Sequence, residues 1–229
     1  MNDDNFISVS RINCYKQCPY RYKLQYVDEI PIIIKSEALT LGSTIHELLE
    51  QNIFEHEDEK FNPYLVNAYE LLKTINDIET LDSVSTNELK LYGEVLGNKT
   101  VGIIDKVWKD QGIALDWKTG NLKSGWDQQK RKKVMYSQED YCLQSYFYKE
   151  LYNQNHDNKL DKFYFAFLGN KEIWTPKIKG NKFGTVGFDL WCENEIVETL
   201  ECINSCLFDK NETVLCSYCD YRYVCDLDI

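Results

Sequence analysis

"GIIDKVWKDQGIALDWKTG", residues 102–120, holds two segments rich in β-branched and aromatic residues, joined by a polar turn at Asp110-Gln111-Gly112. That pattern predicts an antiparallel hairpin. Each segment carries one aspartate, and pairing about the turn brings Asp105 and Asp116 close together. Two like charges in a partly buried place are unfavourable unless something positive lies between them. A divalent cation supplies it, and Mg²⁺ favours a few carboxylate oxygens with several retained waters, a shell that a phosphate group can complete. Lys118 follows Asp116 by two residues and so shares its face of the strand. Its ammonium can orient or help deprotonate an attacking water and can neutralise charge building on phosphorus. A lone D-x-K triplet equally suits turn aspartates beside a solvent-facing lysine. Here Gly102, Thr119-Gly120 and the apolar residues between them enrich the context.

Working outward, "LKLYGEVLG" (89–97) with a turn at Gly97-Asn98 predicts a third antiparallel strand ahead of the hairpin. Upstream, Ser10 suits the cap of a short helix running to Cys18, and Pro19 the first position of a second, "PYRYKLQYV". "IPIIIK" reads as extended or loop. Gly42 and Ser43 then precede "TIHELLEQNIF", where Ile45, Leu48, Leu49 and Ile53 recur at helical spacing with His46 beside them. A further helix over about 63–76 and a polar connection over 77–88 follow. Downstream come a basic loop, a helix over 139–152, a strand "KFYFAFLG", a turn at Gly169-Asn170, a strand "EIWTPKIK", a helix over 188–208 and a cysteine-rich tail. No internal repeat interrupts this order, so 1–229 reads as a single α/β domain.

The chain has 229 residues, 43% hydrophobic and 28% charged, as an ordinary soluble globule does. With neither a long apolar run nor a basic-then-apolar leader, the expectation is a cytoplasmic protein without a membrane partner. The net charge of −11 argues against a polyanionic partner, but it is unevenly spread. Arg11, Lys16, Arg21 and Lys23 fall in an acid-free stretch with Tyr15, Tyr20 and Tyr22, and "KRKK" at 130–133 forms a second basic block. The first block suits either a channel where single-stranded bases stack or a set of tyrosines that simply pack. Any such run is also commonly a solvated face.

In "GIIDKV" and "LDWKTG", preceded by "LGSTIHELLE" and followed by "LQSYFYKEL", the sequence resembles the PD-(D/E)xK nuclease superfamily, in particular its RecB-like branch. The resemblance implies a restriction-endonuclease-like core, a mixed central sheet flanked by helices, spanning about 42–180. It further implies a metal-dependent site with His46, Asp105, Asp116 and the Trp117 carbonyl on Mg²⁺ or Mn²⁺, Lys118 serving the water, and Gln144 and Tyr148 positioning substrate. Glu94 is an accessory acid candidate. Each residue alone also suits ordinary packing, but their order on helix, strand, hairpin strand and helix is hard to obtain by chance. The implied activity is a DNA exonuclease acting on single-stranded or frayed ends. Because the resemblance runs from Ser8 to Cys225, a small stand-alone nuclease is expected. A non-catalytic subunit of a recombination or CRISPR adaptation complex is the alternative, and the intact acid–acid–lysine set speaks against it.

Nine cysteines are many for a chain without the short, loop-rich character of a disulfide framework. Cys216, Cys219 and Cys225 sit in a polar tail among Tyr and Arg, where free thiols are seldom found. Three thiolates call for a fourth ligand, Cys18 first and Cys14 second, to complete a zinc site or an iron-sulfur cluster. The family's iron-sulfur members, AddB-type domains and small CRISPR-associated exonucleases, place one cysteine before a proline near the N-terminus and three at the C-terminus. This implies a [4Fe-4S] cluster on Cys18, Cys216, Cys219 and Cys225, clasping 8–27 to 209–229, with zinc the alternative. Cys142, Cys192, Cys202 and Cys206 read as core residues of helices.

Overall fold

Period-two alternation builds the centre of the computed structural model, which describes residues 6–32, 37–82, 84–127, 132–135, 138–213, 216–217 and 219–225, with main chain only over 124–127 and 132–135. Strands β1 (Thr86–Val95), β2 (Asn98–Trp108) and β3 (Ile113–Lys118) are consecutive and antiparallel. The first turn centres on Leu96-Gly97, both at positive φ (51° and 75°), one residue ahead of the expected Gly97-Asn98. Such a turn twists with the strands it joins. The second is a 3-10 turn over Lys109–Gln111, closed by Gly112 at φ 62°.

β4 (Ser124–Asp127) and β5 (Lys132–Met135) form a separate ribbon where a loop was expected. After α5 (Glu139–Asn155), β6 (Lys162–Phe167) returns parallel to β3, and β7 (Glu172–Trp174) pairs antiparallel with β6. The order β1-β2-β3-β6-β7 gives the mixed sheet between helices that the sequence led us to expect. The strand expected over "EIWTPKIK" breaks at Pro176, which has no N–H to continue a ladder. β8 (Lys177–Ile178) pairs instead with β9 (Asn181–Lys182).

Two cores sandwich the sheet. On one side Val107, Ala114, Phe163 and Phe165 pack with Tyr148, Leu151 and Tyr152 of α5, Ile12 of α1 (Val9–Gln17), and Phe188 of α6 (Val186–Asn204). On the other, Leu115, Trp117, Tyr164 and Ala166 pack with Ile45 and Leu49 of α3 (Glu37–Glu50) and with Leu65, Leu71 and Ile75 of α4 (Asn62–Glu79). β3 and β6 are therefore covered on both faces, as a parallel pair requires.

The N-terminal helices and the tail lie together. Ser8, not Ser10, caps α1, its Oγ accepting from Arg11 N–H at 3.4 Å. Cys18 separates α1 from α2 (Pro19–Tyr22), which runs on as a π-helical turn to Val27. The tail returns to this corner, where Tyr20 N–H donates to Asp209 O at 3.2 Å, Asn211 Nδ2 to Gln17 O at 2.8 Å and Tyr221 OH to Ile30 O at 2.9 Å. The tail closes with α7 (Arg222–Cys225).

Candidate functional site

β2 and β3 part at Asp105. Their ladder pairs Trp108 with Ile113, Val107 with Ala114 and Lys106 with Leu115, and goes no further. Beyond it a side chain joins them, since Trp117 N–H donates to Asp105 Oδ2 at 2.7 Å. β2 continues with β1 alone, its freed edge bridged by Ile7 at Thr100. The resulting fork is where the acids gather.

His46 of α3 reaches the fork from the sheet's second face, its Nδ1 3.4 Å from Asp105 Oδ2. Burial disfavours the charged imidazole, but the hydrogen bond and charge of Asp105 outweigh it and hold His46 above its usual value. Glu88 stands opposite Asp105 at a break in the β1–β2 ladder, with φ 47°, between the pairs Asn87–Lys106 and Leu89–Ile104. His46, Glu88 and Asp105 each offer a ligand atom, all within 4.8 Å of one another. Sequence reasoning missed Glu88, placing it in the polar connection and choosing Glu94. Glu94 lies near the hairpin tip, paired with Lys99, its main chain held by Gln154. The usable signal is register: counted from the Val95–Asn98 pair, Glu88 falls opposite Asp105.

Asp116 and Lys118 occupy the other prong. Asp116 is 2% exposed, its Oδ2 2.7 Å from Lys118 Nζ and its Oδ1 accepting from Gln144 Nε2 at 2.5 Å. Lys118 also donates to Gln144 Oε1 at 2.9 Å, and Gln144 Nε2 donates to Tyr148 OH at 3.1 Å. One amide of α5 thus holds both charged groups. Burial pushes the Asp116 carboxyl up to about 6, against the pull of Lys118 and with the charge of Asp105 adding to it. Burial would lower Lys118, yet the adjoining Asp116 keeps it raised, so it stays an ammonium. Gly102 lets α5 come this close, because a Cβ there would lie 2.9 Å from Leu151 Cδ1 and 3.0 Å from the Tyr148 ring.

Sequence reasoning also gave no role to Lys106, next to Asp105. It is 7% exposed and donates to Asn87 Oδ1 at 2.7 Å and Asn52 Oδ1 at 3.1 Å, while Asn87 Nδ2 donates to Glu50 O at 2.5 Å. The end of α3 is thereby tied to the strands that carry Glu88 and Asp105.

The donor set fits a hard divalent cation. Asp116 Oδ2 is buried with the Lys118 ammonium 2.7 Å away and accepts no further hydrogen bond among the described residues. The charges of Asp105 and His46 act on this carboxylate, and with Glu88 they make an oxygen-rich set suited to Mg²⁺ or Mn²⁺.

Cys18, Cys216, Cys219 and Cys225 line one cavity of about 1140 Å³ with Tyr20, Arg21 and Lys210. Among the described residues no three cysteine sulfurs lie within 4.8 Å of one another. Cys14 is buried, donates to Gln25 Oε1 at 3.7 Å, and has its thiol pushed up to about 11 by burial. Cys142 and Cys192 are core residues as expected, whereas Cys206 is exposed just past the end of α6.

The first basic block is mostly neutralised. Lys16 pairs with Glu195, Arg21 with Asp220 at 3.5 Å and Lys23 with Asp28 at 2.5 Å. Tyr15, Tyr22 and Phe208 pack together, with Tyr15–Tyr22 centroids 5.5 Å and Tyr22–Phe208 6.2 Å apart. The packing reading therefore describes this corner. The side chains of "KRKK" lie outside the described residues.

The PD-(D/E)XK nuclease superfamily model matches residues 7–79 and 66–226, which takes in both prongs of the fork and the helices that serve them. The chain belongs to this superfamily. Its fold recurs in a crystallised candidate exonuclease of Eubacterium rectale, with a TM-score of 0.59 and 17% identity over 97% of this chain and 88% of that one. It recurs also in the crystallised protein SSO0001, with a TM-score of 0.50 and 15% identity over 100% of this chain and 89% of that one. No curated protein sequence matches the chain at a comparable level. For a nuclease of this superfamily, a forked hairpin with acids on both prongs is a place where a phosphodiester and a cation can meet. No helix among the described residues is long and apolar enough to cross a membrane.

Proposed function

We propose that the protein is a Mg²⁺- or Mn²⁺-dependent DNA exonuclease of the RecB-like branch, acting in the cytoplasm on single-stranded or frayed ends. The observation that carries this reading is the convergence of His46, Glu88 and Asp105 beside the Asp116–Lys118–Gln144 network. His46, Asp105, Asp116 and the Trp117 carbonyl would hold the cation, with Glu88 added to the set. When bound, the cation supplies Lewis-acid polarisation and a more acidic water. Lys118, kept as an ammonium, orients the attacking water and neutralises charge on the phosphoryl oxygens. Gln144 fixes the Asp116–Lys118 geometry, and Tyr148 fixes Gln144.

The ligand role of Glu88 gives a direct test. Glu88→Gln keeps the shape and removes the charge, so Mn²⁺ affinity by calorimetry is expected to fall about tenfold or more. Unchanged affinity would remove Glu88 from the set.

At the other corner, a [4Fe-4S] cluster on Cys18, Cys216, Cys219 and Cys225 clasps the chain ends. What supports it is that these four cysteines line one cavity where the N-terminal helices and the tail meet; zinc on the same thiolates is the alternative. We propose in addition a protein partner in recombination or CRISPR adaptation. The deciding experiment is degradation of 5′- and 3′-labelled single-stranded DNA with Mg²⁺, Mn²⁺ or EDTA, comparing anaerobically purified wild type with Asp116→Ala. Metal-dependent cleavage lost in the variant supports the nuclease, and the label pattern gives its polarity. No cleavage from brown, folded protein moves the assignment to a DNA-binding subunit.

A further inference from the structure

The β1–β2 hairpin has two unlike faces. Leu91, Val95 and Ile104 are buried on the side of α5, with Gly93 and Gly102 beneath Leu151, Gln154 and Tyr148. On the opposite face Lys90, Tyr92, Lys99 and Ile103 are exposed, Tyr92 and Ile103 at 39%. Lys90 pairs with Ile103, Tyr92 with Val101 and Glu94 with Lys99, so these residues form a strip beginning two positions from Glu88 and Asp105. At about 3.4 Å per residue it runs roughly 20 Å from the fork to Lys99.

The strip carries an aromatic ring and two cations. Phe6 stands edge-on to Tyr92 with centroids 5.5 Å apart, held there by the bridge from Ile7 to Thr100. Lys90 Nζ lies 5.1 Å from the centre of the Tyr92 ring. Among the described residues Glu94 is the strip's one acid beyond the fork, and it faces Lys99. On a chain of net charge −11, two lysines flanking the exposed Tyr92 ring and the half-buried Phe6, in line with the acids of the fork, complement a strand of phosphates and bases.

We infer that this face guides the single-stranded nucleic acid entering the fork, a base stacking on Tyr92 and Phe6 and phosphates meeting Lys90 and Lys99. The inference rests on the nuclease reading of the fork and names where its substrate lies. A self-association face would have no need of cations aligned with the acids.

The test measures anisotropy of a fluorescein-labelled oligothymidylate in EDTA, alongside Mn²⁺-dependent hydrolysis of thymidine 5′-(p-nitrophenyl phosphate), which fills only the fork. Tyr92→Ala should weaken oligonucleotide binding about tenfold, Tyr92→Phe should bind as wild type does, and neither should alter hydrolysis of the small ester. Lys90→Gln with Lys99→Gln should flatten the salt dependence of binding by about 1.4 in log–log slope. Wild-type ester hydrolysis with unchanged oligonucleotide binding in Tyr92→Ala overturns the strip and leaves the nuclease standing. Tyr92-dependent binding by a wild type that hydrolyses nothing overturns the nuclease and keeps the strip as a binding surface. A changed sedimentation state in Tyr92→Ala, with binding intact, makes the face a self-association surface and overturns the inference.

Discussion

Lys118→Met is expected to lower metal-supported DNA cleavage by about 10²- to 10⁴-fold in kcat, the range typical for loss of a positioned proton-handling or charge-stabilising group. The substitution keeps an unbranched apolar stem and removes the ammonium that lies over the Tyr141 and Phe165 rings and 2.7 Å from Asp116 Oδ2. A second consequence separates mechanism from folding. Lys118 holds the buried Asp116 carboxyl down, so without it the carboxyl rises beyond about 6 and more of it is protonated at neutral pH. Because a cation binds the ionised carboxylate, the variant's metal affinity should be weak at pH 7 and recover as pH rises, while kcat does not recover. Cleavage of labelled DNA across pH and Mn²⁺ concentration reads both quantities. Recovery of kcat at high pH would reduce Lys118 to a keeper of Asp116's charge, and wild-type kcat at neutral pH would remove it from the mechanism.

The hairpin and its Asp105, Asp116 and Lys118 are legible in sequence because their pattern is local. Strand alternation, turn residues and the two-residue step from Asp116 to Lys118 all sit in one short run. The helical positions of His46, Gln144 and Tyr148 are legible for the same reason, as is the mixed α/β architecture. Glu88 is not, since the polar residues before it hide the start of β1, and its place beside Asp105 follows only from the register set at the far turn. Nor is the fate of the first basic block, because the partners of Lys16 and Arg21 are Glu195 and Asp220, near the other end of the chain. The fork itself has no local signature. It arises where a carboxylate takes over a main-chain partner, Asp105 accepting from Trp117 N–H, and no composition rule anticipates that exchange.

Cys219→Ala is expected to give colourless protein that melts about 10–20 °C lower than wild type. Cys219 and Cys18 lie 219 − 18 = 201 positions apart yet line one cavity. Cross-linking so long a loop restricts the unfolded chain by an amount on the order of 5 kcal/mol, and for a chain of this size each kcal/mol shifts the melting temperature by about 2–4 °C. The contacts of Tyr221 with Ile30 and of Asn211 with Gln17 survive the substitution, so the corner should loosen while the sheet and its two cores persist. Cys206→Ala supplies the control, because that thiol is exposed and outside the cavity, and its variant should match wild type in colour and melting. Visible absorbance with iron, sulfide and zinc analysis on anaerobically purified protein reads the cofactor, and calorimetry reads the clasp. Brown Cys219→Ala protein of unchanged stability would take Cys219 out of the ligand set. Colourless wild type carrying one zinc would replace the cluster by the simpler ion.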